Sequence, residues 1–186
     1  MAVGRRAIAW GLVVVGIALG PGAARPPPVS DLLGPLDLSG YPPTTKAPQF
    51  SGRTPDGQKV SLSGLRGRVI LLSFWATWCP PCRQEMPLFE QLHRDFGKEG
   101  LTVLGVNVRE DVSAIRSYAR ELDLTFPLVL DPTGAIGALY GVIGLPSTFL
   151  IARDGRAVAR AVGPRDWGNA QARQLFHALL AEPREP

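Results

Sequence analysis

The stretch Ser73-Phe74-Trp75-Ala76-Thr77-Trp78-Cys79-Pro80-Pro81-Cys82 constrains this chain most. It carries the only two cysteines, at the point where an apolar strand hands over to a helix. Cysteines separated by two residues can close a disulfide within one turn, and the prolines between them restrict the backbone that brings the sulfurs together. So short a loop cannot tie distant parts of a fold together. Its use lies in being made and broken, which points to thiol-disulfide exchange. A zinc site needs more ligands than His93 and His177 can add. Copper(I) held by two thiolates stays open as an alternative.

A cysteine at the start of a helix faces unpaired backbone N–H groups and the positive end of the helix dipole, and both stabilise a thiolate. Cys79 holds that position, so it is the expected nucleophile. Cys82, one turn in and more shielded, is the expected resolving thiol. Pro80 suits an early helical position, where its missing N–H has no intrahelical use. Glu85 follows Cys82 by three residues, one turn deeper on the same face. It is a candidate for proton exchange with the thiols, and a solvated first-turn glutamate is the equally open alternative. Trp75 and Trp78 are expected to pack around the site, with Trp78 partly exposed. His93, Trp167, His177 and the Arg109-Glu110-Asp111 loop read as helix surface, ordinary packing or solvated loop.

Upstream, Met1–Arg6 is short and basic and Ala7–Gly20 is an uncharged apolar run, followed by the small residues Gly22-Ala23-Ala24. This has the pattern of an export signal cleaved after Ala24. The uncharged run to Ala24 also approaches the roughly 20 residues that span a bilayer, so an uncleaved membrane anchor is the alternative. Either way Arg5 and Arg6 stay inside, which places the rest of the chain outside the cytoplasmic membrane. The net charge of +4 includes those two arginines, and no long basic patch points to nucleic acid.

Residues 25–46 are rich in proline and read as a linker. Fully extended at about 3.1 Å per residue, it would reach on the order of 70 Å. Packing of Leu32, Leu33, Leu36 and Leu38 on the domain is the competing reading. The folded domain is expected over 47–186. Thr54-Pro55-Asp56-Gly57 followed by Lys59–Leu62 predicts an N-terminal β-hairpin. Arg68–Trp75 is apolar on both faces, as in a central strand covered by helices. Pro80–Phe96 has helical spacing through Met86, Phe89, Leu92 and Phe96, with a kink expected at Pro87. Leu101–Val108 and Val112–Leu122 repeat strand and helix, which implies a parallel core. Phe126–Leu130 is extended, Ala135–Tyr140 a brief helix, and Gly141–Ile151 a strand. Asp154-Gly155 turns into Arg156–Val162, and Asp166–Leu180 closes the chain as a helix.

From about Ala47 to the C-terminus the sequence resembles the TlpA/ResA/CcmG group of exported thioredoxin-like thiol-disulfide oxidoreductases. The resemblance rests on Phe74-Trp75-Ala76-Thr77-Trp78-Cys79-Pro80-Pro81-Cys82, on Glu85-Met86-Pro87 and on Gly144-Leu145-Pro146-Ser147-Thr148-Phe149. It implies an α/β thioredoxin-like fold, with a central mixed sheet flanked by helices. It implies a disulfide reductase cycling between dithiol and disulfide at Cys79 and Cys82, without a metal or other cofactor. Pro146 would be cis and face the cysteine pair, and Leu145 would offer backbone hydrogen bonds to an extended substrate chain. Trp78 and Pro80 would line the same substrate surface. Glu85 would tune the cysteines. The implied partners are an exported disulfide-bearing client, of the cytochrome c maturation or copper-site assembly type, and a membrane thiol donor. The buried aspartate that cytoplasmic thioredoxins carry six residues before the first cysteine is Ser73 here. Peroxiredoxins carry Thr or Ser three residues before their reactive cysteine; here that residue is Ala76, which disfavours the thiol peroxidase alternative.

Overall fold

The computed structural model describes residues 27–183. The expected signal or anchor at 1–24 lies outside the described residues. Among the described residues no helix is long and apolar enough to cross a membrane.

The strands are β1 (Ser39–Gly40), β2 (Ser51–Arg53), β3 (Lys59–Ser61), β4 (Val69–Trp75), β5 (Leu101–Val108), β6 (Leu128–Asp131), β7 (Ser147–Ile151) and β8 (Ala157–Val162). The α-helices are α1 (Pro80–Phe96), α2 (Val112–Glu121), α3 (Ala135–Leu139) and α4 (Ala170–Ala181). The main sheet runs β1-β8-β7-β4-β5-β6, and β2 pairs with β3 in the expected separate hairpin. β4, β5 and β6 are parallel, while β7, β8 and β1 add on antiparallel. The parallel core is therefore half of a mixed sheet.

Every residue of β4 is buried, because side chains alternate between two covered faces. Val69, Leu71 and Trp75 enter the cluster with Met86, Phe89, Leu92 and Phe96 of α1 and Leu175 and Phe176 of α4. Ile70, Leu72 and Phe74 join Leu104, Val106, Tyr140 and Phe149 on the other face, beneath Val60 of the hairpin and Ile136 of α3. The helix α1 runs through Pro87.

The linker expectation is corrected. Val29–Leu32 and Gly34–Leu36 form short 3₁₀ turns, and Ser39–Gly40 pairs with β8 as the sheet's edge strand. Leu32, Leu33, Leu36 and Leu38 are all buried in the core cluster shared with α4, so these residues belong to the folded unit. Each buried leucine contributes roughly 2 kcal/mol.

Two boundaries also move. The last strand before the hairpin begins at Ser147, since Gly141–Gly144 forms a loop with Gly141 in the left-handed region (φ 64°). The closing helix begins at Ala170, where the Asn169 side chain accepts the N–H of Ala172 at 2.8 Å. That N-cap frees Pro164–Gly168 to form a loop over α1.

Candidate active site

Cys79 sits at the N-cap of α1 in an extended conformation (φ −91°, ψ 104°), and its sulfur accepts the Cys82 N–H at 3.3 Å. The two are joined as a disulfide with Cα atoms 5.3 Å apart. Both are buried, but only Cys79 lines a cleft of about 650 Å³. Trp78, Pro80, Val142, Ile143 and Leu145 wall that cleft, and Arg109 supplies a cation. Trp78 and Ile143 are 68% and 92% exposed, an unusual exposure for large apolar side chains flanking one opening.

Leu145 ends the loop before β7, and the Leu145–Pro146 bond is cis. Pro146 is buried, and its carbonyl accepts the Gly163 N–H at 2.9 Å. Cys79, Trp78, Pro80 and Leu145 are thus brought to one opening, and Pro146, next in the chain, is buried and does not line it.

Glu85 does not line that cleft. It is 2% exposed, on the inner side of α1, so the solvated reading does not apply. Its Oε1 accepts the Arg165 backbone N–H at 2.8 Å and the Trp167 indole N–H at 2.7 Å, while Oε2 is buried without a partner. Burial pushes its carboxyl up to about 7, against the downward pull of the Arg165 amide, the Trp167 indole and the Arg165 charge. The carboxyl lies one helical turn beyond Cys82 on α1.

Three contributors escaped the sequence reading. Trp167 is fully buried and faces Glu85. Arg165 supplies the second donor through its backbone, which no side-chain pattern reveals. Glu110 accepts the Thr77 N–H and the Asn107 side-chain amide, both at 2.7 Å, and also the Thr77 hydroxyl. It holds the turn that precedes Cys79, and its place just after β5 was its sole signal. Trp75 is fully buried against Tyr118, with ring centroids 5.0 Å apart. Its indole fits because Gly105 has no side chain: a Cβ there would stand 3.0 Å from the indole nitrogen. Ser73 is buried, and its hydroxyl accepts from Thr148.

Residues 43–160 match the model of the AhpC/TSA family. Thiol-disulfide oxidoreductase ResA of Bacillus thuringiensis subsp. konkukian is 35% identical over 118 residues, covering 63% of this chain and 68% of that protein. Among solved structures, a thioredoxin-family thiol:disulfide interchange protein from Chlorobium tepidum superposes with a TM-score of 0.64 at 32% identity, covering 75% of this chain and 98% of that one. A secreted Mycobacterium tuberculosis disulfide oxidoreductase, described as homologous to Escherichia coli DsbE, gives 0.60 at 27% identity, covering 69% and 96%.

Proposed function

This chain belongs to the AhpC/TSA family and is a thiol-disulfide oxidoreductase, and we propose that it reduces disulfides of exported client proteins outside the cytoplasmic membrane. The observation that carries the reading is the Cys79 sulfur at the N-cap of α1, on the wall of an apolar cleft, with Cys82 hidden behind it. That asymmetry separates an attacking from a resolving thiol.

In the reduced protein the Cys79 thiolate, stabilised by the helix N-terminus, attacks one sulfur of the client disulfide. A mixed disulfide forms and one client thiolate leaves. Cys82 then passes its proton to Glu85 and attacks the Cys79 sulfur. The second client thiolate is released and Cys79–Cys82 closes as the disulfide. Two electrons have moved to the client, and a membrane thiol donor returns them. The exchanging disulfide is itself the redox group, so the cycle needs no metal or organic cofactor. Trp78, Pro80 and Leu145 bind the client's extended chain, with Pro146 setting the position of Leu145. The Met1–Ala24 segment, as signal or anchor, and the secretion of the mycobacterial relative support the location.

Reduction of an insulin-type disulfide tests the reading. Cys79→Ser abolishes turnover and Cys82→Ser accumulates a mixed disulfide visible on a non-reducing gel. Full activity in Cys79→Ser sinks it.

A further inference from the structure

Both hydrogen bonds to the Glu85 carboxyl come from the loop 163–168, so whatever holds that loop holds the carboxyl. The loop is moored by the Trp167 ring, buried against Phe89 and Phe176, and by two further sets of hydrogen bonds. The Gly163 N–H donates to the Pro146 carbonyl at 2.9 Å. The Arg165 guanidinium reaches across to the N-terminal strap: Nε donates to the Leu36 carbonyl at 2.9 Å, and Nη2 donates to the Asp37 carbonyl at 2.8 Å and to its carboxylate at 2.7 Å. Nη1 turns back onto the Pro164 carbonyl at 2.9 Å. One planar fork thus joins segments 128 positions apart, a geometry lysine cannot reproduce. Asp37 is left-handed (φ 51°), a conformation that non-glycine residues rarely adopt. It lies at the turn whose two carbonyls Arg165 engages.

We propose that Arg165 is a positioning residue: it fastens the N-terminal strap to the loop that holds the Glu85 carboxyl, and so makes residues 36–38 part of the thiol-exchange machinery. This rests on the reading of Glu85 as the proton partner of Cys82. The strap's leucines anchor it in the core beside α4, and Arg165 carries that anchorage to the catalytic helix. The same loop touches Pro146, so the client-binding and proton-handling sides of the site share one support. The charged and titratable groups around Glu85 are Cys82 on α1, Arg165 and Asp166 in the loop, and Asp37 across Arg165.

The Trp167 indole N–H donates directly to Glu85, so its proton–nitrogen NMR signal reports the carboxyl's ionisation. In the oxidised full-length protein, where neither cysteine titrates, that signal is expected to move with a midpoint of about 7. Arg165→Gln shifts the midpoint alkaline by about half a unit, a three-fold change in the ionisation constant. In the reduced enzyme it lowers disulfide reduction at pH 6 about three-fold relative to pH 9. Arg165→Lys, which keeps the charge but loses the fork, recovers less than half of the shift and keeps the test available if the glutamine variant does not fold. Arg156→Gln breaks ion pairs to Asp154 and Glu182 away from the site and leaves the midpoint in place. An unchanged indole midpoint in Arg165→Gln, or full recovery by lysine, overturns the proposal. The titration involves no client, so its failure leaves the Cys79→Ser result standing, and an active Cys79→Ser leaves the titration standing.

Discussion

Two glutamates on α1, Glu85 and Glu90, are both buried and are treated in opposite ways. Burial alone would push both carboxyls up. At Glu90 that push is outweighed: the Thr125 amide and hydroxyl each donate at 2.7 Å and Arg94 donates at 2.6 Å, so the net shift is downward. Its donors reach both oxygens and one is a cation. Glu85 receives its two donors on a single oxygen, leaves the other bare, and faces an arginine whose guanidinium is spent on the strap. Its carboxyl therefore sits near 7. A buried carboxylate given enough donors becomes a structural pin, and one given too few keeps a raised pKa, which is what the proposed role of Glu85 requires.

The two are expected to respond oppositely to pH. Glu90's folded value is depressed, so its contribution to stability is present above the ordinary carboxylate value and is lost as acid titrates through the folded value. Glu85's folded value is raised from 4.5 to about 7. Its favourable contribution is full below 4.5 and is lost as pH rises through about 7.

The largest expected effect is therefore at Glu90. Replacing it with alanine strips Thr125 and Arg94 of their acceptor and costs about 3 kcal/mol in urea unfolding, while disulfide reduction per folded molecule stays near wild type. If reduction collapses as well, the division between pin and exchanger fails. Glu85→Gln should do the reverse. Its stability relative to wild type should rise by about 2 kcal/mol between pH 5 and pH 8, since one unit of displacement is about 1.4 kcal/mol. Its reduction rate should fall about ten-fold or more, within the range of a lost acid–base group. A flat stability difference across that range would mean that Glu85 titrates like a solvated glutamate. Trp167→Phe removes one donor from Glu85 and should cost about 1–2 kcal/mol, measured by thermal melting. Smallest of all is Asp37→Asn. The carboxylate is 92% exposed and both backbone carbonyls remain for Arg165, so a loss within about 0.5 kcal/mol is expected; a larger one would show that the side chain, and not the turn, carries the strap.

What could be read along the chain was local. Pro80-Pro81 and the spacing of Met86, Phe89, Leu92 and Phe96 set α1 at Pro80–Phe96, as observed, because an N-cap and an apolar stripe act over a few residues. The two hairpins and the central strand were legible for the same reason. The strap was harder, since proline content argued for an extended tether and tertiary contacts, the four buried leucines and the pairing of β1 with β8, decide otherwise. Trp167 looked like part of a helix, and Arg165 contributes a backbone N–H that any residue but proline could supply.

By itself, then, the sequence determined that two cysteines would meet at a helix start, with a glutamate one turn behind them. Whether that glutamate would be a solvated charge or a buried acid was left to the tertiary structure. Desolvation depends on what packs over a group, and the cover arrives from Arg165 and Trp167, about 80 positions away, and through Arg165 from a strap still more distant. No local pattern around Cys79 encodes those partners; the order of strands in the sheet and the burial of the strap's leucines bring them there.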